Sequence, residues 1–165
     1  MRGPAVALVL IVSALMPAAS DSQTLDPLAA LERYVGTWVY EGDGNGARVT
    51  CRSERQWIAN RSFVESHRQC STVNGPISQV EIYGFDPRRR LYVYWGFNGR
   101  VPSTYTTMNM DLAVAWSGEQ ASGNNRCTET FAPDFLSSTS QCDVSYDLGK
   151  TWQRVSGGSS KKVEP

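Results

Sequence analysis

Three side chains in the middle of the sequence could carry out acid–base chemistry. Glu65 and His67 share one face of a predicted strand over Ser62–Ser71, because side chains two residues apart point the same way, and Glu81 lies on the next predicted strand. A glutamate–histidine pair beside a second acid could serve a hydrolase or an isomerase if it faced a water-poor cavity. We favour the alternative, a hydrated outer face with a weak ion pair, and expect no catalytic residues.

The sequence is otherwise poor in residues for catalytic, metal or nucleic-acid sites. His67 is the only histidine, and the four cysteines show no C-x-x-C spacing, so no metal site is predicted. The G-x-S-x-G, HExxH and phosphate-loop motifs are absent. The 16 basic residues are balanced by 16 acidic ones, which leaves no excess positive charge for phosphates. We therefore expect neither a cofactor nor a nucleic-acid partner.

Large apolar and aromatic side chains alternate along Leu91–Phe97 and Ser103–Trp116. Such alternation marks one face of a strand, and that face either fills the interior of a barrel or lines a cavity there. The candidate cavity-lining residues are Tyr94, Trp95, Phe97, Arg100, Met108, Met110 and Trp116. Among them, Tyr94 and Arg100 could orient a ligand through their polar groups.

The elements that would position these residues are a short helix and about ten strands. Leu25, Leu28, Leu31 and Val35 recur at helical spacing after Asp26-Pro27. Short β-rich runs separated by glycine-, asparagine- and proline-rich turns follow. The predicted strands are Thr37–Glu41, Ala47–Arg55, Ser62–Ser71, Gln79–Phe85, Leu91–Phe97, Ser103–Asp111, Leu112–Ser117, Arg126–Phe131, Ser137–Tyr146 and Thr151–Val155. An all-β antiparallel meander of this length is expected to close into a barrel.

Residues 1–20 have the layout of a secretory signal peptide. Arg2 precedes an apolar run from Ala5 to Leu15, and small residues stand before Asp21. The run is too short to span a bilayer. We expect an exported protein, periplasmic or secreted, that does not span the membrane. A single barrel domain over residues 25–156 would be followed by a flexible Gly/Ser/Lys-rich tail over residues 157–165.

Export makes the even number of cysteines indicative of two disulfides. Four cysteines allow three connectivities. We favour Cys51–Cys70 and Cys127–Cys142, because each pair falls on neighbouring predicted strands, where the Cβ atoms can come close enough.

Two groups of residues resemble patterns of known β-barrels. Gly36-Thr37-Trp38, after a helix and at the start of a strand, resembles the G-x-W start of lipocalin and wider calycin barrels. Tyr83-Gly84-Phe85-Asp86-Pro87, with Arg90 and Tyr92, is similar to a motif of an exported bacterial family of unknown function. The resemblance implies a calycin-like barrel whose Trp38 closes one end beneath the helix, and a small apolar ligand. The axial histidine of related haem-binding barrels has no counterpart after His67, so no haem is expected.

A third pattern lies near the C-terminus. Residues 145–152, Ser-Tyr-Asp-Leu-Gly-Lys-Thr-Trp, resemble the S-x-D-x-G-x-T-W "Asp box" of sialidase-like propellers and other β proteins. Asp147 would accept hydrogen bonds from turn amides, Gly149 would relax the backbone, and Trp152 would pack beneath. A single box indicates a structural hairpin turn rather than a propeller.

These observations favour an exported barrel that sequesters a small, mainly apolar molecule without catalysis. One alternative is a cell-envelope interaction module with a filled interior, whose loops, such as Asn98–Pro102, meet a protein partner. The other is the hydrolase or isomerase that would use Glu65, His67 and Glu81. An open cavity would support the ligand-binding barrel, and a filled interior would support the interaction module. An inward-facing cluster of Glu65, His67 and Glu81 would support the enzyme.

Overall fold

Ten antiparallel strands form a closed barrel in the computed structural model, which describes residues 26–99, 102–120 and 123–163. Each strand pairs with its neighbours in sequence, and β1 pairs with β10 as well as with β2, so the sheet has no free edge. The strands are β1 Gly36–Gly44, β2 Ala47–Ile58, β3 Phe63–Thr72, β4 Gly75–Asp86, β5 Leu91–Phe97, β6 Ser103–Thr107, β7 Ala113–Gln120, β8 Gly123–Phe131, β9 Ser137–Ser145 and β10 Gln153–Val163.

The predicted fold class, an all-β antiparallel barrel of about ten strands, is confirmed. The predicted signal peptide over residues 1–20 lies outside the described residues, as does Leu25 of the predicted helix. Among the residues described, no helix is long and apolar enough to cross a membrane.

The prediction of a flexible tail over residues 157–165 is wrong for residues 157–163. They belong to β10 and pair with both β1 and β9. The glycines there are structural rather than flexible, because a Cβ atom at Gly158 would clash with the backbone of Glu41 and Gly42 on β1. The polar composition suggested a tail, but in fact this segment closes the barrel.

A 3-10 helix over Ala29–Tyr34 closes one end of the barrel. Leu31 and Tyr34 are fully buried, and the indole Nε1 of Trp38 donates a hydrogen bond of 3.0 Å to the carbonyl of Tyr34. Gly36 links helix and strand with a φ of 114°, a conformation that favours glycine. Trp38 therefore lies beneath the helix, as the resemblance to calycin barrels implied. We call this the closed end.

The closed end contains an apolar core of buried side chains. Its members come from the helix, from the strands around it and from the β6–β7 connection: Leu31, Tyr34, Trp38, Val64, Tyr92, Met110, Val114 and Phe131. The β1–β2, β3–β4 and β9–β10 connections lie at the opposite end, which we call the mouth, because the strands alternate in direction.

Both predicted disulfides are confirmed. Cys51 lies directly opposite Cys70 on β2 and β3, and Cys127 lies directly opposite Cys142 on β8 and β9. Each bond joins neighbouring strands, so each fixes the local register of the barrel wall.

The β9–β10 connection is held by the carboxylate of Asp147. It accepts hydrogen bonds from the Ser145 hydroxyl and from both the amide and the hydroxyl of Thr151, at 2.7–2.8 Å. These bonds lower the pKa of Asp147 to about 2. The indole of Trp152 donates to the carbonyl of Gly149, whose φ is 87°. This geometry is that of a tight structural turn, and its assignment to the Asp-box pattern stays a prediction.

Valine substitutions at two adjacent positions test whether β10 closes the barrel. Gly158→Val should lower the free energy of unfolding by about 1–3 kcal/mol, because its side chain would clash with β1. Ser159→Val at the exposed neighbouring position is the matched control and should be nearly neutral. Urea unfolding measures both. Equal stability of the two variants would contradict the pairing of β10 with β1.

Candidate functional site

A partly open cavity of about 230 Å³ lies inside the barrel between the closed end and the mouth. All ten strands contribute to its wall. The lining residues are Trp38, Tyr40, Ser53, Arg55, Arg68, Glu81, Tyr83, Tyr94, Tyr105, Trp116, Cys127, Thr128, Glu129, Ser140, Cys142, Ser156 and Ser160. The interior is therefore not filled, and aromatic rings share its wall with four charged side chains.

The carboxylate of Glu81 is the best-bonded polar group of the cavity. Only 1% of its surface is exposed, and it accepts hydrogen bonds from five side chains. The donors are Ser66 at 2.9 Å, Arg68 at 3.2 Å, Gln79 at 2.5 Å, Tyr83 at 3.3 Å and Tyr94 at 3.2 Å. Burial alone would raise the pKa of Glu81, but Arg68, Arg55 and the hydrogen bonds outweigh burial and lower it. Glu81 is thus a buried, ionised acceptor.

Three tyrosines form a stack beside this carboxylate. The rings of Tyr34 and Tyr83 are stacked with centroids 4.5 Å apart, and the Tyr83 and Tyr94 centroids are 5.1 Å apart. Burial raises the pKa of all three phenols, and nearby carboxylates raise it further. The three hydroxyls therefore stay neutral and donate hydrogen bonds to the two interior carboxylates.

The second interior carboxylate, Glu129, has weaker support. It accepts hydrogen bonds from the hydroxyls of Tyr34 and Ser138, both at 3.0 Å. Burial raises its pKa, and the opposing effects of Arg55 and the two hydroxyls do not cancel that rise. The two acids of the cavity are therefore held differently, one by a cation and one by neutral hydroxyls.

The two interior arginines also differ. Arg68 makes an ion pair with Glu81 and places its Nη2 3.3 Å from Cys51 Sγ. Arg55 lies over the rings of Tyr34, Trp38 and Tyr83, with centroid distances of 5.5–5.7 Å. The Nε atoms of both arginines are buried and have no hydrogen-bond partner. The difference is that none of the ion pairs among the described residues includes Arg55. Arg55 is thus a cation that lies against aromatic faces and makes no direct ion pair, although Glu81 and Glu129 are near enough to raise its pKa.

Of the predicted cavity-lining residues, Tyr94 and Trp116 do line the cavity. Trp95 and Phe97 do not, because they occupy the outward face of the same strand as Tyr94. Trp95 packs beside Phe63 with centroids 6.4 Å apart, and Phe97 is 41% exposed. The prediction combined residues of both faces of β5, and only one face can point inward.

The predicted methionines also lie away from the cavity, because the strand ends earlier than predicted. β6 ends at Thr107, so Met108 and Met110 belong to the β6–β7 connection. Met108 is 83% exposed, whereas Met110 is buried in the apolar core of the closed end. Arg100 lies outside the described residues.

The predicted acid–base cluster does not form. Glu65 and His67 point outward, with His67 Nε2 3.3 Å from Glu65 Oε2 and the His67 side chain 59% exposed. Glu81 points into the barrel, on the other face of the sheet. The hydrolase or isomerase that would use these three residues together is therefore contradicted.

The residues that sequence analysis missed are Arg55, Arg68 and Glu129. They lie on strands with charged or polar residues on both faces, such as Arg52-Ser53-Glu54-Arg55, so polarity did not identify the inward side. The usable signal was the spacing from the cysteines. Arg68 is two residues before Cys70 and Glu129 is two after Cys127, so each shares a face with a disulfide. Among the described residues, no group of three metal-ligating side chains occurs.

Comparison with known proteins supports the fold. No protein-family model matches the sequence, and no curated protein matches it. Among solved structures, the chain is similar to the S-type phycobiliprotein lyase CPES from Guillardia theta, with a TM-score of 0.56 and 13% sequence identity. The match covers 82% of this chain and 91% of the lyase chain. At this identity the likeness shows the fold alone, a lipocalin-like barrel.

Replacing each interior carboxylate by its amide tests their different roles. Glu81→Gln should lower the free energy of unfolding at pH 7 by about 3–5 kcal/mol, because it leaves Arg68 buried beside a neutral group. Glu129→Gln should change it by less than about 1 kcal/mol, because hydroxyl partners can also accept from an amide. Chemical denaturation measures both, and equal losses would contradict the assignment.

The pH dependence of the same two variants should have opposite signs. The lowered pKa of Glu81 stabilises the folded state above the ordinary value of 4.5, so the deficit of Glu81→Gln should shrink as pH falls below it. Because the pKa of Glu129 is raised in the folded protein, ionisation of Glu129 destabilises the folded state. Wild type should therefore lose stability as pH rises through that pKa, and Glu129→Gln should become more stable relative to wild type. Unfolding curves across this range measure both differences. A constant deficit for Glu81→Gln would contradict an ionised Glu81.

Proposed function

We propose that the barrel binds a small molecule in its interior cavity. The observation that carries this proposal is the cavity itself, a space of about 230 Å³ to which every strand contributes. A barrel built only as a scaffold would fill this space with side chains, because protein interiors are close-packed. The fold likeness to the phycobiliprotein lyase supports the choice of a functional barrel, but the ligand argument depends on this chain's own lining.

The wall favours a ligand with an apolar, planar body and at least one polar group. Tyr83, Tyr94 and Trp116 offer ring faces on one part of the wall, which suits the mainly apolar ligand that the sequence suggested. A purely apolar molecule would leave Arg55 and Glu129 without a polar partner on the side facing the cavity. We therefore amend the expected ligand from mainly apolar to amphipathic.

Binding would take place outside the cytoplasm. Two disulfides, together with the predicted signal peptide, support an exported protein in an oxidising compartment. In such a compartment the disulfides would stay oxidised and keep the barrel wall intact. The protein would then sequester or carry its ligand in the periplasm or the medium.

A tryptophan placed inside or outside the barrel tests this function. Ser140 lines the cavity, and Thr139 beside it is exposed on the outer face. Ser140→Trp should fill the cavity and abolish binding, whereas Thr139→Trp should leave it unchanged. Native mass spectrometry of protein purified from the exported fraction, before and after denaturation, should show a denaturable adduct for wild type and Thr139→Trp only. No adduct on wild type, or equal adducts on both variants, would contradict interior binding.

A further inference from the structure

We propose that the ligand is a small organic acid whose anionic group binds the guanidinium of Arg55. This inference rests on the proposed function, because it assigns the class of molecule that the interior cavity takes. It is carried by the guanidinium of Arg55, which lines a partly open cavity, has a buried Nε without a partner and, unlike Arg68, makes no ion pair with an interior carboxylate.

Arg55 is built as an anion receptor. Its guanidinium is kept in place by the faces of Tyr34, Trp38 and Tyr83, which hold the cation but cannot accept an in-plane N–H hydrogen bond. Its buried Nε therefore remains without an acceptor. A planar carboxylate or a sulfonate supplies acceptors in the geometry that the guanidinium fork presents.

Of the two interior arginines, only one makes a direct ion pair with an interior carboxylate. Arg68 is compensated by its ion pair with Glu81, at 3.2 Å. Glu129 is bonded to two neutral hydroxyls and is not within ion-pair distance of Arg55. An anionic group on a ligand would give Arg55 the direct ion pair that it lacks within the protein. A phosphate ester with two charges would bring an excess negative charge close to Glu81 and Glu129.

The body of the acid would lie toward the aromatic wall. Tyr83 is in contact with Arg55 on one side and with Tyr94 and Trp116 on the other, with ring centroids 5.1 and 6.4 Å away. A planar apolar group attached to the anion can therefore extend from Arg55 along these rings. The same rings would exclude water from the ion pair and strengthen it.

Two dyes with the same ring system distinguish the contribution of the anionic group to binding affinity from that of the apolar body. The probes are 8-anilinonaphthalene-1-sulfonate, which is anionic, and N-phenyl-1-naphthylamine, which lacks the sulfonate. Fluorescence titration of the full folded protein should show that the anionic dye binds wild type roughly tenfold more tightly, the effect of one charged hydrogen-bonded contact. Arg55→Met should abolish this preference by weakening only the anionic dye.

Arg52→Met is the matched control. Arg52 is on the same strand, but its side chain points outward and is 56% exposed, so its loss should leave the preference intact. Arg55→Lys is the second variant, for the case that Arg55→Met does not fold. It keeps the charge but loses the fork, so it should retain part of the preference for the anionic dye. Circular dichroism confirms that each variant is folded.

The outcomes distinguish this inference from the proposed function. Loss of the preference in Arg55→Met, with Arg52→Met unchanged, supports the acid. Equal affinity of wild type for both dyes, with both blocked by Ser140→Trp, overturns the acid and leaves interior binding in place. Failure of both dyes to bind, or binding that Ser140→Trp does not affect, overturns interior binding as well.

Discussion

The structure depends on one ionised carboxylate enclosed in a β-barrel. A buried negative charge on Glu81 would destabilise the folded state without its five hydrogen-bond donors. Four of these donors lie on β3 and β4, and the fifth is Tyr94 on β5. The requirement to satisfy it fixes the positions of Arg68, Tyr83 and Tyr94. These side chains point at the carboxylate rather than into the free space, and so the cavity is left open beside them.

The cavity also needs a barrel that is closed all the way round. The apolar core beneath the 3-10 helix closes one end, and the pairing of β10 with β1 closes the sheet. Disulfides on the inward faces of β2–β3 and β8–β9 fix the register of the wall near the mouth. With the wall held in this way, Arg55 can remain in place without a direct ion pair, because neighbouring side chains cannot collapse onto it.

Local sequence patterns predicted the strands and the disulfides but not the composition of the cavity. Alternation and turn residues identify strands, and Cys51–Cys70 and Cys127–Cys142 follow from strand neighbourhood. The inward face could not be predicted from alternation alone, because Tyr94 and Trp95 are both aromatic, and both faces of β2 carry charged side chains. The sequence predicts a strand at the start of β10 but a tail from residue 157 onward, because the glycines and serines there lack apolar alternation. The strand conformation of β10 is imposed by its pairing with β9, its neighbour in the sequence, and with β1, at the other end of the described chain.

A high-resolution crystal structure of the protein purified from its exported fraction would test the central claim most directly. Our account predicts an open cavity that contains density for a small molecule, with an anionic group of that molecule in contact with the Arg55 guanidinium and Glu81 still bonded to Arg68. A structure in which Arg55 instead pairs directly with Glu129 and side chains fill the interior would contradict it.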